Sequence, residues 1–164
     1  MKKDKNPKSA FNPDQQKQAK YANSPVTGKK PSFGRDPNSC LQLKPAWQFN
    51  NRDIDHHKWG WGNLSADDFM EILNTSLCKF ETMTWDEILK TSGGRKDGNN
   101  HHNVEIASCC SDAQKRLLEL KMDDIDQLFS LRLDNKTRLW GIKDGGILRF
   151  LWFDKEHSVY PSSR

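Results

Sequence analysis

The chain has 164 residues, 34% of them apolar and 29% charged, enough for one domain and too few for two comfortable ones. No apolar run approaches the ~18 residues a membrane helix needs, which argues against a spanning protein. The net charge of +4 is unevenly placed. Residues 1–40 hold nine Lys/Arg against three Asp, a net +6, so the remainder carries −2. Residues 1–44, with Pro7, Pro13, Pro25, Pro31 and Pro37 among many Asn, Gln and Lys, are therefore expected to be a disordered basic tail ahead of a single α+β domain over residues 45–164. Lys29 and Lys30 in that tail are candidate nucleic-acid contacts, because basic arms hold polyanions.

Within the domain, Ala46-Trp47-Gln48-Phe49 places Trp47 and Phe49 on one side of an extended chain, the pattern of a first strand or an anchor. Ser65 followed by Asp67 and Asp68 opens a helix whose apolar stripe is Phe69, Ile72, Leu73, Leu77 and Phe80. Cys78, between Leu77 and Phe80, is expected to be buried as a small hydrophobe. Thr84-Trp85-Asp86-Glu87 is a capping box that predicts a second short helix through Ile88 and Leu89. Residues 92–100, rich in Gly and Asn, predict a loop. A third helix follows from Ser111 through Ala113, Leu117 and Leu120, on which Arg116 is expected to face solvent or pair with Asp112. Asp123 to Leu128 reads as a short helical turn.

Period two then takes over. Phe129, Leu131 and Leu133 alternate with Ser130 and Arg132; Thr137 to Lys143 and Ile147 to Phe153 follow as two more strands, joined at Asp144-Gly145-Gly146. N-terminal helices packed on one face of a three- to four-stranded antiparallel meander is the expected architecture. Strict alternation puts Arg138, Trp140 and Ile142 on one face and Leu139, Gly141 and Lys143 on the other. On the last strand it puts Leu148, Phe150 and Trp152 opposite Ile147, Arg149, Leu151 and Phe153. If one face stays uncovered, Trp or Phe beside Arg on it forms a surface for stacking bases and holding phosphates, which makes Trp140, Arg149 and Lys143 candidate nucleic-acid contacts. The bland alternative is a core strand with snorkelling cations.

The last strand empties into Asp154-Lys155-Glu156-His157 and then Tyr160. RNA cleavage by its own 2′-hydroxyl needs a base, an acid and cations. His157, Glu156 and Tyr160 are candidates for the proton roles and Arg138 for charge stabilisation. Three adjacent pairs, His56-His57, His101-His102 and Cys109-Cys110, raise a zinc reading with His57, His102, Cys109 and His157 as ligands. Neighbouring residues diverge on any regular element, so no cofactor and no metal site is expected. Adjacent cysteines are awkward for a disulfide framework, and the absence of a secretory signal points to a cytoplasmic setting. His102 and Arg116 are too far apart in sequence for the compact Arg-x4-6-His of HEPN ribonucleases.

The order of elements, with Arg138 entering one strand, the apolar run Leu148 to Phe153 and then His157 and Tyr160, resembles the RelE/ParE-type toxin superfamily. Arg138-Leu139-Trp140-Gly141 and Leu151-Trp152-Phe153-Asp154-Lys155-Glu156-His157 also resemble a family of short bacterial and phage proteins with Arg-x-x-Gly and Leu-Trp-x-Asp-x-x-His. The superfamily resemblance implies an RNA-directed toxin, a metal-independent endoribonuclease on translated mRNA. In that case Arg138 and Arg149 touch RNA, and His157 and Tyr160 lie near the scissile phosphate. Its partners would be RNA or the ribosome and an antitoxin or other acidic protein. The alternative is a non-catalytic protein- or nucleic-acid-binding module that uses the basic tail and an aromatic sheet face.

Overall fold

The computed structural model describes residues 39–92 and 100–161. Most of the expected tail, with Lys29 and Lys30, and most of the Gly/Asn loop lie outside the described residues. Residues 39–44, assigned by composition to the tail, belong to the folded unit. Ser39–Gln42 forms a 3-10 turn, Leu41 packs on the core, and the Leu43 carbonyl accepts from Trp85 N–H at 3.0 Å.

A five-stranded mixed sheet organises the fold. Its strands are β1 (Ala46–Gln48), β2 (His102–Glu105), β3 (Gln127–Arg132), β4 (Arg138–Asp144) and β5 (Ile147–Asp154), in the order β1-β5-β4-β3-β2. β2 to β5 form an antiparallel meander, and β1 adds to its edge in parallel, with Trp47 opposite Leu148. Gly145 and Gly146 turn β4 into β5, and Gly145 has φ +57°, where a side chain would cost strain.

Covering helices lie on both faces, which corrects the expected one-sided packing. On the first face α1 (Ala66–Glu71) runs through a π-helical segment (Ile72–Leu77) into α2 (Cys78–Glu81), followed by α3 (Trp85–Lys90). The π turn has a packing reason. Ile72 and Leu77 are five residues apart, a spacing that an α-helix swings off one stripe and a π turn keeps together, and both are buried. The same turn leaves Cys78 exposed rather than buried. Ser65 caps α1 through Asp68 N–H, and the Thr84–Glu87 capping box starts α3 as expected. This layer packs Ile72, Leu77, Phe80, Trp85 and Ile88 against Phe129, Leu131, Leu139, Leu148 and Phe150. Trp47 and Phe49 share a side, as alternation predicts, both resting on the Phe150 ring at 5.5 and 5.0 Å.

The opposite face is covered by α4 (Ser111–Glu119) and the segment around Val159, which bury Trp140, Leu151, Trp152 and Leu128. Trp140 and Trp152 are fully buried. The exposed aromatic face expected for base stacking is therefore absent, since Trp140 lies inside a second core. Strict alternation also fails on β5. Trp140 pairs with Trp152 and Gly141 with Phe150, so Leu151 is an extra residue in a β-bulge, and Trp152 joins the face opposite Phe150. Gly141 permits this, because a Cβ there would sit 2.2 Å from the Arg149 carbonyl oxygen. The Leu151 carbonyl accepts from Asp53 N–H (3.0 Å) and the Trp61 indole (3.1 Å).

α4 ends on Lys121 at φ +56°, with Met122 N–H donating to the Leu117 carbonyl at 2.9 Å, a helix stop that usually employs glycine. Lys121→Gly is expected to raise stability by about 0.5–1 kcal/mol, measured as an upward shift in the denaturant midpoint at constant slope.

Candidate functional site

Strand register brings the basic groups of β3 and β4 into one row. Arg132 is opposite Arg138, Arg138 is opposite Asp154, and His102 is opposite Ser130 one step along the same face. Between Arg132 and Arg138 the chain turns at Asp134, whose carboxylate accepts from Lys136 N–H and Thr137 N–H, both at 2.8 Å. The two guanidiniums clamp this turn. Arg132 donates to the Asp134 carbonyl and to the Asn100 and Asn135 side-chain oxygens. Arg138 donates to the Asp134 and Thr137 carbonyls at 2.9 and 3.0 Å. Arg138 is 7% exposed, so it serves as a buried turn clamp and a source of field, not as the direct phosphate contact expected of it.

The segment after β5 is built around Asp154, which is 1% exposed. Its carboxylate accepts from Glu156 N–H (3.2 Å), Ser158 Oγ (3.1 Å) and Val159 N–H (2.9 Å). Ser158 Oγ also accepts from the Trp59 indole at 2.8 Å, and the Val159 carbonyl accepts from Cys110 N–H at 2.8 Å. This network holds His157 at φ +56°, a left-handed conformation uncommon for a side-chain-bearing residue. The imidazole is half-buried, and burial, followed by the Arg138 charge and then those of Arg132 and His102, pushes it below its ordinary 6.5 despite the opposing Asp154. The shift favours the neutral form of the ring, the form that accepts a proton.

Other expected site residues lie elsewhere. Arg149 sits toward the hairpin end of β5, donating to Gln48 at 3.1 Å and pairing with Asp144 at 2.8 Å. Lys143 donates to the Gly145 carbonyl and lies 4.6 Å from the Trp85 ring on the α1–α3 face. Both are at the far end of their strands from His157 and cannot share its site. Glu156 is exposed and paired with Lys136 at 3.2 Å, and Tyr160 is half-buried against the α4-side core. Of the four groups assigned to catalysis, Arg138 and His157 lie within electrostatic reach of one another, and His157 is the less buried of the two. Arg132 was not chosen from the sequence, and His102 was weighed there only as a zinc ligand and against the HEPN spacing. His102 enters the row through β2, whose four residues carry no periodic signal.

Among the described residues no group of three or more His, Cys, Asp or Glu is arranged to hold a metal ion. Of the residues weighed for zinc, Cys109 is buried with its thiol pushed up to about 11 by burial, which disfavours the thiolate a metal would need. No helix among the described residues is long and apolar enough to cross a membrane.

A second polar network centres on Asp53 and ties α4 to β5. Asp53, 3% exposed, receives a two-pronged contact from Arg116 at 2.8 and 2.8 Å and the Trp152 indole at 3.0 Å. Burial alone would raise its carboxyl, but the hydrogen bonds from Arg116 and Trp152 outweigh that and hold it at about 2. Arg116 thus pairs with Asp53 and Glu119 in place of Asp112, which binds Lys58.

Two histidines are fixed as acceptors. His56 Nδ1 accepts from Lys58 N–H and Trp59 N–H, and His101 Nδ1 accepts from Arg132 N–H at 3.1 Å. Burial lowers both; at His56 the neighbouring His57 adds to it, and at His101 the Arg138 and Arg132 charges do, bringing His101 to about 4. A folded value below the unfolded one gives stability that is present above pH 6.5 and lost as pH falls toward 4. For His101 the loss is about 3 kcal/mol. Denaturant melts between pH 7 and 4 should show it, and His101→Gln should flatten the slope.

No family model, no curated protein and no solved structure matches this chain.

Proposed function

We propose that this is an RNA-directed protein whose working end is the His157 segment, acting as a metal-independent endoribonuclease. The observation that carries the reading is a half-buried imidazole, held in a left-handed conformation by the network on the Asp154 carboxylate, within electrostatic reach of Arg138, Arg132 and His102. In this reading His157 takes the proton from a ribose 2′-hydroxyl. Arg132, partly exposed, meets the phosphate, and buried Arg138 supplies fixed positive potential without reorganising. The bond from the 2′-oxygen to phosphorus forms as the bond to the 5′-oxygen breaks, and in this reading water beside the exposed His102 gives the leaving oxygen its proton.

One observation favours a second reading, a non-catalytic nucleic-acid-binding module. With Arg138 sealed under its turn, Arg132 is the single half-exposed guanidinium in the row. Incubating the full chain with a defined RNA, without added metal, separates the two. New 2′,3′-cyclic phosphate ends support the nuclease, a gel shift with intact RNA supports the binding module, and neither result refutes both.

A further inference from the structure

A cavity of about 190 Å³ opens on the other side of the Arg132 clamp, between the end of the α1–α2 helix and the start of β2. Lys79, Arg132, Asn100 and His101 line it with polar groups, and Phe80 and Met83 with apolar ones. Among the described residues the lining contains two cations and no carboxylate. Lys79 is exposed and makes no ion pair among the described residues.

His101 supplies the second, independent feature. It is 4% exposed and packs edge-on against Phe80 at 5.3 Å. Since Nδ1 accepts from Arg132 N–H, a neutral ring must carry its proton on Nε2, and that N–H has no hydrogen-bond partner among the described residues. That N–H is not sealed in the core but reachable from the cavity that His101 lines, so it is a donor open to an incoming group. Asn100 adds to the donor set, because its side-chain oxygen is committed to Arg132 and its amide N–H groups remain as donors.

We propose that this cavity binds a phosphate group, with His101 Nε2–H, the Asn100 amide and the Lys79 and Arg132 charges as its donors and the Phe80–Met83 wall beside the attached nucleoside. The inference rests on the RNA reading and deepens it. Arg132 is common to this cavity and to the His157 cluster, so the cavity is a subsite for a neighbouring phosphodiester on the same strand.

The test titrates the full chain, by nuclear magnetic resonance and calorimetry, with inorganic phosphate, uridine 5′-monophosphate, uridine and a short single-stranded RNA. The two phosphate-bearing small probes should bind and shift the His101 ring signals, with uridine inert. Lys79→Ala should weaken their binding about tenfold, while Lys115→Ala, on α4, leaves it unchanged. Lys79 is exposed, so its variant folds even if His101→Gln does not. Equal binding of uridine and its monophosphate, or unchanged phosphate affinity in Lys79→Ala, would overturn the proposal. If phosphate binds in this pattern and RNA does not, the RNA reading falls and the site stands. If RNA binds with no dependence on Lys79, the site falls and the reading stands.

Discussion

His157→Asn is expected to reduce RNA cleavage by about 10²–10⁴-fold, the contribution of a positioned base, with little change in melting temperature. Asparagine tolerates the left-handed backbone at this position and cannot accept the proton. His157→Gly is more telling. Glycine removes the backbone strain that histidine carries at φ +56°, so the variant should be equally inactive and no less stable to within about 1 kcal/mol. A residue retained for packing alone would show the reverse, lower stability with activity preserved. Cleavage by the intact protein should rise with pH through a midpoint below 6.5 and level off at neutrality, because burial and the Arg138 charge lower the imidazole and only its neutral form is a base.

Asp53→Ala is expected to destabilise the fold by about 4 kcal/mol, which lowers the melting temperature by on the order of 10 °C or more. The substitution leaves the Arg116 guanidinium, the Trp152 indole and the His56 N–H without their common acceptor. Arg116→Met alone strands a buried carboxylate and should cost nearly as much. Removing both should cost less than the sum, because each single change already breaks the pair. Thermal melts of the two single variants and the double variant measure the coupling. Additive losses would show that Asp53 and Arg116 act separately.

What the residues revealed in advance follows from the range over which each signal acts. Local patterns were legible: the Thr84–Glu87 capping box, the Gly145–Gly146 turn, the alternation of β3 and β4, and Trp47 with Phe49 on one side. Signals that depend on distant partners were not. The bulge at Leu151 reverses the face of Trp152, and its local trace is Gly141, whose missing side chain makes room for the Arg149 carbonyl. The π turn was hidden because Phe69, Ile72, Leu73, Leu77 and Phe80 also read as an α-helical stripe. Asp53 and Arg116 are 63 residues apart, and no local rule pairs them. At the candidate site, the Leu-Trp-x-Asp-x-x-His run drew the reading to Glu156 and His157 and passed over the residue that ends the strand before them. Asp154, which had no assigned role, organises the segment, and Glu156, which had one, stands in solvent paired to Lys136.

The two ends of the β4–β5 hairpin offer RNA different surfaces, with Arg132, His102 and His157 at one and Lys143 and Arg149 at the other. Crosslinking a photoreactive single-stranded RNA to the full chain and mapping the modified residues decides between them. Crosslinks concentrated at His102, Arg132 and His157, and lost in His157→Asn/Arg132→Gln, are the predicted result. Crosslinks at Lys143 and Arg149, or none above a scrambled background, would contradict the assignment of RNA to the His157 end.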